Sequence, residues 1–376
     1  MITLTVVSLL LSALSFILPA AAEPCIAMDA SFNLLVFGVG GKDFNAGTQD
    51  SWTGSSATDI TASGRPPFDG SNTTCYLAQF FNAIYVLNAD SSDSTSVYIY
   101  NPTGKSWSKQ PVTTPSGSPS FDPTDFKAIL DHDTNVFYAL SKGELFFLDM
   151  GALTAANSTA LTWTDVGAPV AWGDLSTYQP VMALAQNHIH FIGVQGLTAG
   201  ECDIFVIHFS FFQPAAQSYS SNFPESHGQA VSFFQKSDVQ QEFAYIPDDG
   251  SATYVINVES NTTQTLAGPS VKDSSAQYFA GITSLVQLSS ANSALSFLAY
   301  TEGSDNSAAA WTKITAVTLS TSSSNTSSTS VLGSGSSGTK TGSSPSATAS
   351  TSDAGRTVMN TFGLVAGTMT LATFMI

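Results

Sequence analysis

Acidic residues outnumber basic ones 28 to 11 in this chain of 376 residues, and only 10% of positions carry a charge. A net charge of −17 spread so thinly excludes nucleic acid and anionic lipid as direct partners, because both reward clustered Lys and Arg. Three cysteines, Cys25, Cys75 and Cys202, allow at most one intrachain disulfide and have no metal-type spacing, so stability has to come mainly from a buried core.

The chain opens on a secretory leader. Leu4 to Leu18 is apolar or hydroxylated without interruption, and Ala20, Ala21 and Ala22 supply a small-residue cleavage context before Glu23. The expected organisation is a signal peptide over 1–22, a folded domain over 23–319, a disordered Ser/Thr-rich stalk over 320–352 and a lipid-anchor signal over 353–376. Ser352 and Asp353 are the expected attachment residues for glycosylphosphatidylinositol, followed by a polar spacer and a removable apolar tail from Val358 to Ile376. An ordinary transmembrane helix would want basic residues on its cytoplasmic side, whereas this tail ends at once. Sequons at Asn72, Asn157, Asn261 and Asn325 fit a secreted glycoprotein and should lie on exposed loops. These features place the domain at the cell surface, on plasma membrane or cell wall, touching the membrane only through its anchor.

Between the ends, apolar runs bounded by turn residues recur at Leu34–Phe37, Ile84–Leu87, Val136–Leu140, Ile189–Val194, Phe243–Ile246 and Leu295–Tyr300, spaced about 50 residues apart. Glycines just beyond the runs keep the beat at Gly41, Gly143, Gly196, Gly250 and Gly303, and Asn88-Ala89-Asp90 stands in for the second. Each run has a preceding partner: the strands opening at Cys25 and Cys75, then Lys127–Leu130, Val181–Ala185, Ala230–Phe234 and Ile282–Leu288. A third strand follows at Val97–Tyr100, Leu145–Leu148, Ile204–Phe209, Tyr254–Val258 and Lys313–Leu319, and a weaker fourth carries Trp107, Trp163 or Tyr219. Short runs rich in Val, Ile, Phe and Tyr, with no sustained helical period, predict an all-β fold. Four strands per unit, repeated six times, predict a β-propeller of four-stranded blades, because packing blades radially buries both faces of each sheet. A seventh blade remains open if Ser51–Thr61 folds separately, and the sixth unit needs its fourth strand either omitted or supplied by the N-terminus.

The second unit reads Val97-Tyr98-Ile99-Tyr100-Asn101-Pro102-Thr103-Gly104-Lys105-Ser106-Trp107, and Gly40-Gly41 follows the first apolar run. Together they resemble the third-to-fourth strand passage and the glycine doublet of kelch repeats, whose period is about 50 residues. The resemblance covers Cys25 to Leu319 as a fold and one unit as a motif; elsewhere single glycines replace the doublet. It implies an extracellular, anchored surface protein of the fungal kind, acting as an adhesion or protein-binding scaffold. One extracellular kelch branch is the catalytic domain of copper radical oxidases.

That branch needs two Tyr, two His and a Tyr-linked Cys at the axis, and no local motif of it is visible here. His188 and His190 fall two apart on one strand and could grip a metal, yet the spacing suits any strand with a polar face. Asp43, Asp90, Asp93, Glu144, Glu201, Asp203, Asp248, Asp249, Glu302 and Asp305 follow the second strands. They could supply a glycosidase pair or line one face as an acidic rim for Ca²⁺, but Asp is also ordinary turn chemistry. Cys25 and Cys75 occupy matching places and could pair in an oxidising compartment, provided neighbouring inner strands come close enough, leaving Cys202 over. The aromatics Phe146, Phe147, Phe205, Phe209, Phe211, Phe212, Phe233 and Phe234 are expected to fill the core between blades. The reading these features favour is a non-catalytic surface scaffold that binds an extracellular protein or glycan, with no catalytic residue, metal or cofactor assigned. An extracellular carbohydrate-active enzyme or oxidase on the same fold is the alternative.

Overall fold

The structure, a computed structural model, describes residues 22–317 apart from 118–119, 221 and 237–238. The expected leader, stalk and anchor, with Asn325, Ser352 and Asp353, lie outside the described residues. Six antiparallel sheets follow one another along the chain, each four strands deep, and the sixth closes on the first. The protein is an all-β six-bladed propeller.

Blade 1 shows the plan: Cys25–Met28, Leu34–Val39, Lys42–Asn45 and Thr58–Asp59 run from the innermost strand to the outermost. Its second and third strands turn through Gly40 and Gly41, both at positive φ (59° and 78°), between the paired Val39 and Lys42. A two-residue turn with two positive φ values matches the twist of an antiparallel pair, which is why glycine suits both places. Thr58–Asp59, inside the stretch that left a seventh blade open, is the outer edge of blade 1.

Blade 2 carries the kelch-like passage as a hairpin of its third and fourth strands, Val97–Asn101 and Ser106–Gln110. Tyr100 sits directly opposite Trp107, the ring centroids 5.0 Å apart, and Phe37 of blade 1 packs edge-on against both at 5.2 Å. Tyr100 and Trp107 therefore act across a blade seam. In blade 4 the outer strand is broken into Phe211–Phe212 and Gln217–Ser218, both paired with Glu201–Val206.

Blade 6 corrects the strand ranking. Its strands are Gln277–Ala280, Ser284–Leu288, Leu295–Ala299 and Trp311–Lys313, so Leu295–Tyr300 opens as the third strand, not the second. Second and third strands are equally apolar because both lie between neighbouring blades, so hydrophobicity alone does not rank them. The fourth strand is present in sequence order, and the N-terminus supplies the innermost strand of blade 1. Closure comes from the segment after Lys313: Thr315 and Ala316 donate backbone N–H groups to Trp52 O (2.9 and 3.0 Å), and Ala57 N–H reaches Ala316 O at 2.8 Å.

Side chains alternate between the two faces of each strand, and both faces are buried against neighbouring blades. The Phe146–Phe121–Trp163 group fills one seam, and Phe205 with Phe191 and Trp172 fills the next. Core filling fails for Phe209 and Phe211, which are 82% and 50% exposed. Phe209 lies in the 3-10 turn by which the chain leaves the third strand of blade 4, and Phe211 alternates with Phe212 in the outer strand, so Phe211 faces water while Phe212 packs on Trp172 and Phe205.

Candidate functional site

Each innermost strand is hydrogen-bonded on one side only, so six strand edges turn backbone N–H and C=O groups toward the axis. They enclose a cavity of about 540 Å³, within the range of small-ligand sites. Its walls include Ile26, Met182, Val231 and Phe279, and its rim carries Asn72, Thr74, Gln229, Gln277 and Ser290.

The far end has a floor. Described residues between the first two strands of blade 5 reach the axis: Gln79 Nε2 of blade 2 donates to Gln235 O, and Gln186 N–H of blade 4 donates to Gln240 O, both at 2.7 Å. Phe234 N–H reaches Gly281 O of blade 6 at 3.2 Å, and the Phe234 ring stacks on Phe279 at 5.8 Å. His132 and Phe32 meet the same ring edge-on at 5.2 and 6.1 Å. One aromatic thus touches blades 1, 3 and 6 and closes the channel into a cup.

Lys127 opens the innermost strand of blade 3 and is the one basic residue in the described lining. It is half-buried, its amine makes no hydrogen bond or ion pair to a described residue, and burial pushes the amine pKa down. Glu23, at the rim, is the one carboxylate of the described lining, and its Oε2 lies 3.4 Å from Thr73 N–H. No histidine lines the cup among the described residues. Sequence reasoning passed over Lys127, although a lysine heading an innermost strand in a chain so poor in cations was a usable signal.

The histidines are elsewhere. His190 is buried in the seam between blades 4 and 5, where its Nε2 meets Tyr219 Oη at 2.7 Å, and desolvation pushes its pKa to about 3. His188 bonds to Gln186 O through Nδ1. Among the described residues no group of three or more His, Cys, Asp or Glu is arranged to hold a metal ion.

The acids divide between both faces of the disc instead of sharing one. Antiparallel order puts the second-to-third turns on the rim side, but Glu302 and Asp305 follow a third strand and fall on the floor side, where Gln235 Nε2 donates to Glu302 at 2.6 Å. Most of the others are committed. Arg65 grips Asp43 through Nε and Nη2 (2.9 and 2.7 Å), Lys109 reaches Asp90 and Asp93 (3.2 and 2.8 Å), and His227 meets Asp248 at 2.7 Å. Glu201, Asp249 and Asp305 accept backbone N–H groups of Thr198, Ser251 and Ser307 within 2.9 Å, which is turn chemistry. Five carboxyls are pushed up mainly by burial: Asp203 to about 6, Glu242, held by Tyr300 Oη and Asn257 Nδ2, and Asp131, Asp133 and Glu144. None of them lines the cup.

Cys25 and Cys75 form a disulfide with Cα atoms 5.7 Å apart, and Cys202 is buried and free. Asn72, Asn157 and Asn261 are exposed, Asn72 on the cup rim. No protein-family model matches the chain, and no curated protein resembles it in sequence.

Proposed function

We propose that this chain is a secreted, kelch-like recognition module that reads an extracellular protein or glycan through its axial cup without chemical turnover. The observation that carries the reading is the lining: apolar, hydroxyl and amide groups with a lone lysine, and neither paired carboxylates nor histidines among the described residues. Glycoside hydrolysis needs two carboxyls across the scissile bond, and a copper radical site needs histidines at the axis. A polar rim above an apolar well suits reversible binding. The leader, the sequons and the Ser/Thr stalk ending at Ser352 or Asp353 support display on a lipid anchor, with the fungal cell surface as the setting the kelch resemblance implies.

The test is to present the purified chain to arrays of cell-wall glycans and surface proteins while assaying for released sugar and peroxide. Saturable retention without product is the expected result, and product formation would move the chain to the enzyme class. Release from cells by phosphatidylinositol-specific phospholipase C checks the anchor; retention after treatment argues against it.

A further inference from the structure

We infer that the cup binds a hydroxyl-rich monocarboxylate, such as a uronic acid residue or uronate chain end, and that Lys127 pairs with its carboxylate. The inference rests on the cup being the ligand site. Acids outnumber bases 28 to 11, and Lys42, Arg65, Lys109 and Lys142 all lie within 2.8 Å of a carboxylate. The remaining described cations without an ion pair, Lys105, Lys236, Lys272 and Lys313, are exposed to water. Lys127 alone is both half-buried and without a described partner. Proteins seldom leave an amine in a desolvated place unpaired, because the charged form loses hydration and gains nothing in return. A ligand carboxylate supplies the missing partner.

Three further features narrow the class. A single lysine is a point charge that matches one carboxylate, whereas phosphate and sulfate sites gather several cations or an arginine fork. The net charge of −17 works against multiply charged anions. At the rim Thr74, Gln229, Gln277 and Ser290 donate to Asn72, Ser274, Pro24, Thr73 and Asp273, which leaves their side-chain oxygens as acceptors for ligand hydroxyls, and about 540 Å³ accommodates a sugar ring or two. The other charged group facing this space is Glu23 at the rim, which disfavours a second ligand charge there.

The experiment titrates the full chain by calorimetry with D-galacturonate, D-galactose and inorganic sulfate, using wild type, Lys127→Met and Lys127→Arg. Wild type is expected to prefer galacturonate over galactose by about tenfold or more, the contribution of one charge-assisted hydrogen bond. Lys127→Met should lose that preference while keeping its affinity for galactose and a melting temperature no lower than wild type. Lys127→Arg should retain part of it. If Lys127→Met does not fold, galacturonate should instead protect Lys127 of wild type from acylation, read by peptide mass spectrometry. Equal binding of the two sugars, a preference that survives Lys127→Met, or no uronate binding and no protection would overturn the inference. Sulfate binding as tightly through Lys127 would overturn the carboxylate assignment. Sugar release from oligogalacturonate accompanied by Lys127-dependent binding would sustain the inference and overturn the non-catalytic reading.

Discussion

Asp43 is fully buried in blade 1, where it accepts hydrogen bonds from both Arg65 nitrogens and from Gly38 N–H at 3.0 Å. Arg65 also lies over the Phe68 ring, 4.9 Å from its centroid, so its guanidinium joins the loop after blade 1 to the sheet. Removing one partner of a buried ion pair leaves the other without compensation, which typically costs about 3–5 kcal/mol. Arg65→Ala should therefore lower the urea midpoint far more than Lys42→Ala, whose ion pair with Asp59 is exposed. Asp203 makes the opposite case. Its carboxyl titrates near 6 in the folded chain, above the unfolded value of about 3.9. Between those values the folded state holds a proton the unfolded state has released, so stability falls as pH rises through that window. Asp203→Asn should match wild type near pH 4 and exceed it at pH 7 in paired urea melts. Neither role is legible in the sequence, because Asp43, which pairs with Arg65, and Asp203, whose burial resists its charge, both follow second strands.

At the scale of the blade, the recurring apolar runs were legible because burial on both faces enforces them in every unit. Blade 6 was misread for the same reason: its second and third strands, Ser284–Leu288 and Leu295–Ala299, carry the same apolar signature. The Tyr100–Trp107 pair shows what one motif contributes. Trp107 is 8% exposed and touches Phe37, Tyr100 and Phe68, so Trp107→Ala opens the seam between blades 1 and 2 and should cost about 3–5 kcal/mol. Lys105→Ala, in the turn of the same hairpin, serves as the control. If both variants melt alike, the seam is not held by that tryptophan.

The whole ring is fastened at two places. Cys25 and Cys75 join the innermost strands of blades 1 and 2, whose equivalent positions come close because blades converge at the axis. Closing a loop of that length restricts the unfolded chain, and Cys25→Ser with Cys75→Ser should lose about 2–4 kcal/mol. Cys202 is buried and its thiol pKa is raised by desolvation, so native wild type should resist alkylation and gain one adduct after unfolding without reductant. The second fastening is the Thr315–Ala316 segment against Trp52 and Ala57. Ending the chain after Lys313 should lower the melting temperature, whereas ending it after Leu319 should not.

The sequence by itself determined the strand content, the sixfold unit and the hairpin that carries Tyr100 and Trp107, since each follows from local alternation and turn residues along the chain. Tertiary structure alone decided what meets at the axis. Ring closure brings together residues from blades far apart in sequence: it sets Cys25 beside Cys75, drops Phe234 across the channel and isolates Lys127 from the acids that surround other cations. Burial and spacing across the ring govern those outcomes, and neither is a property of any one repeat.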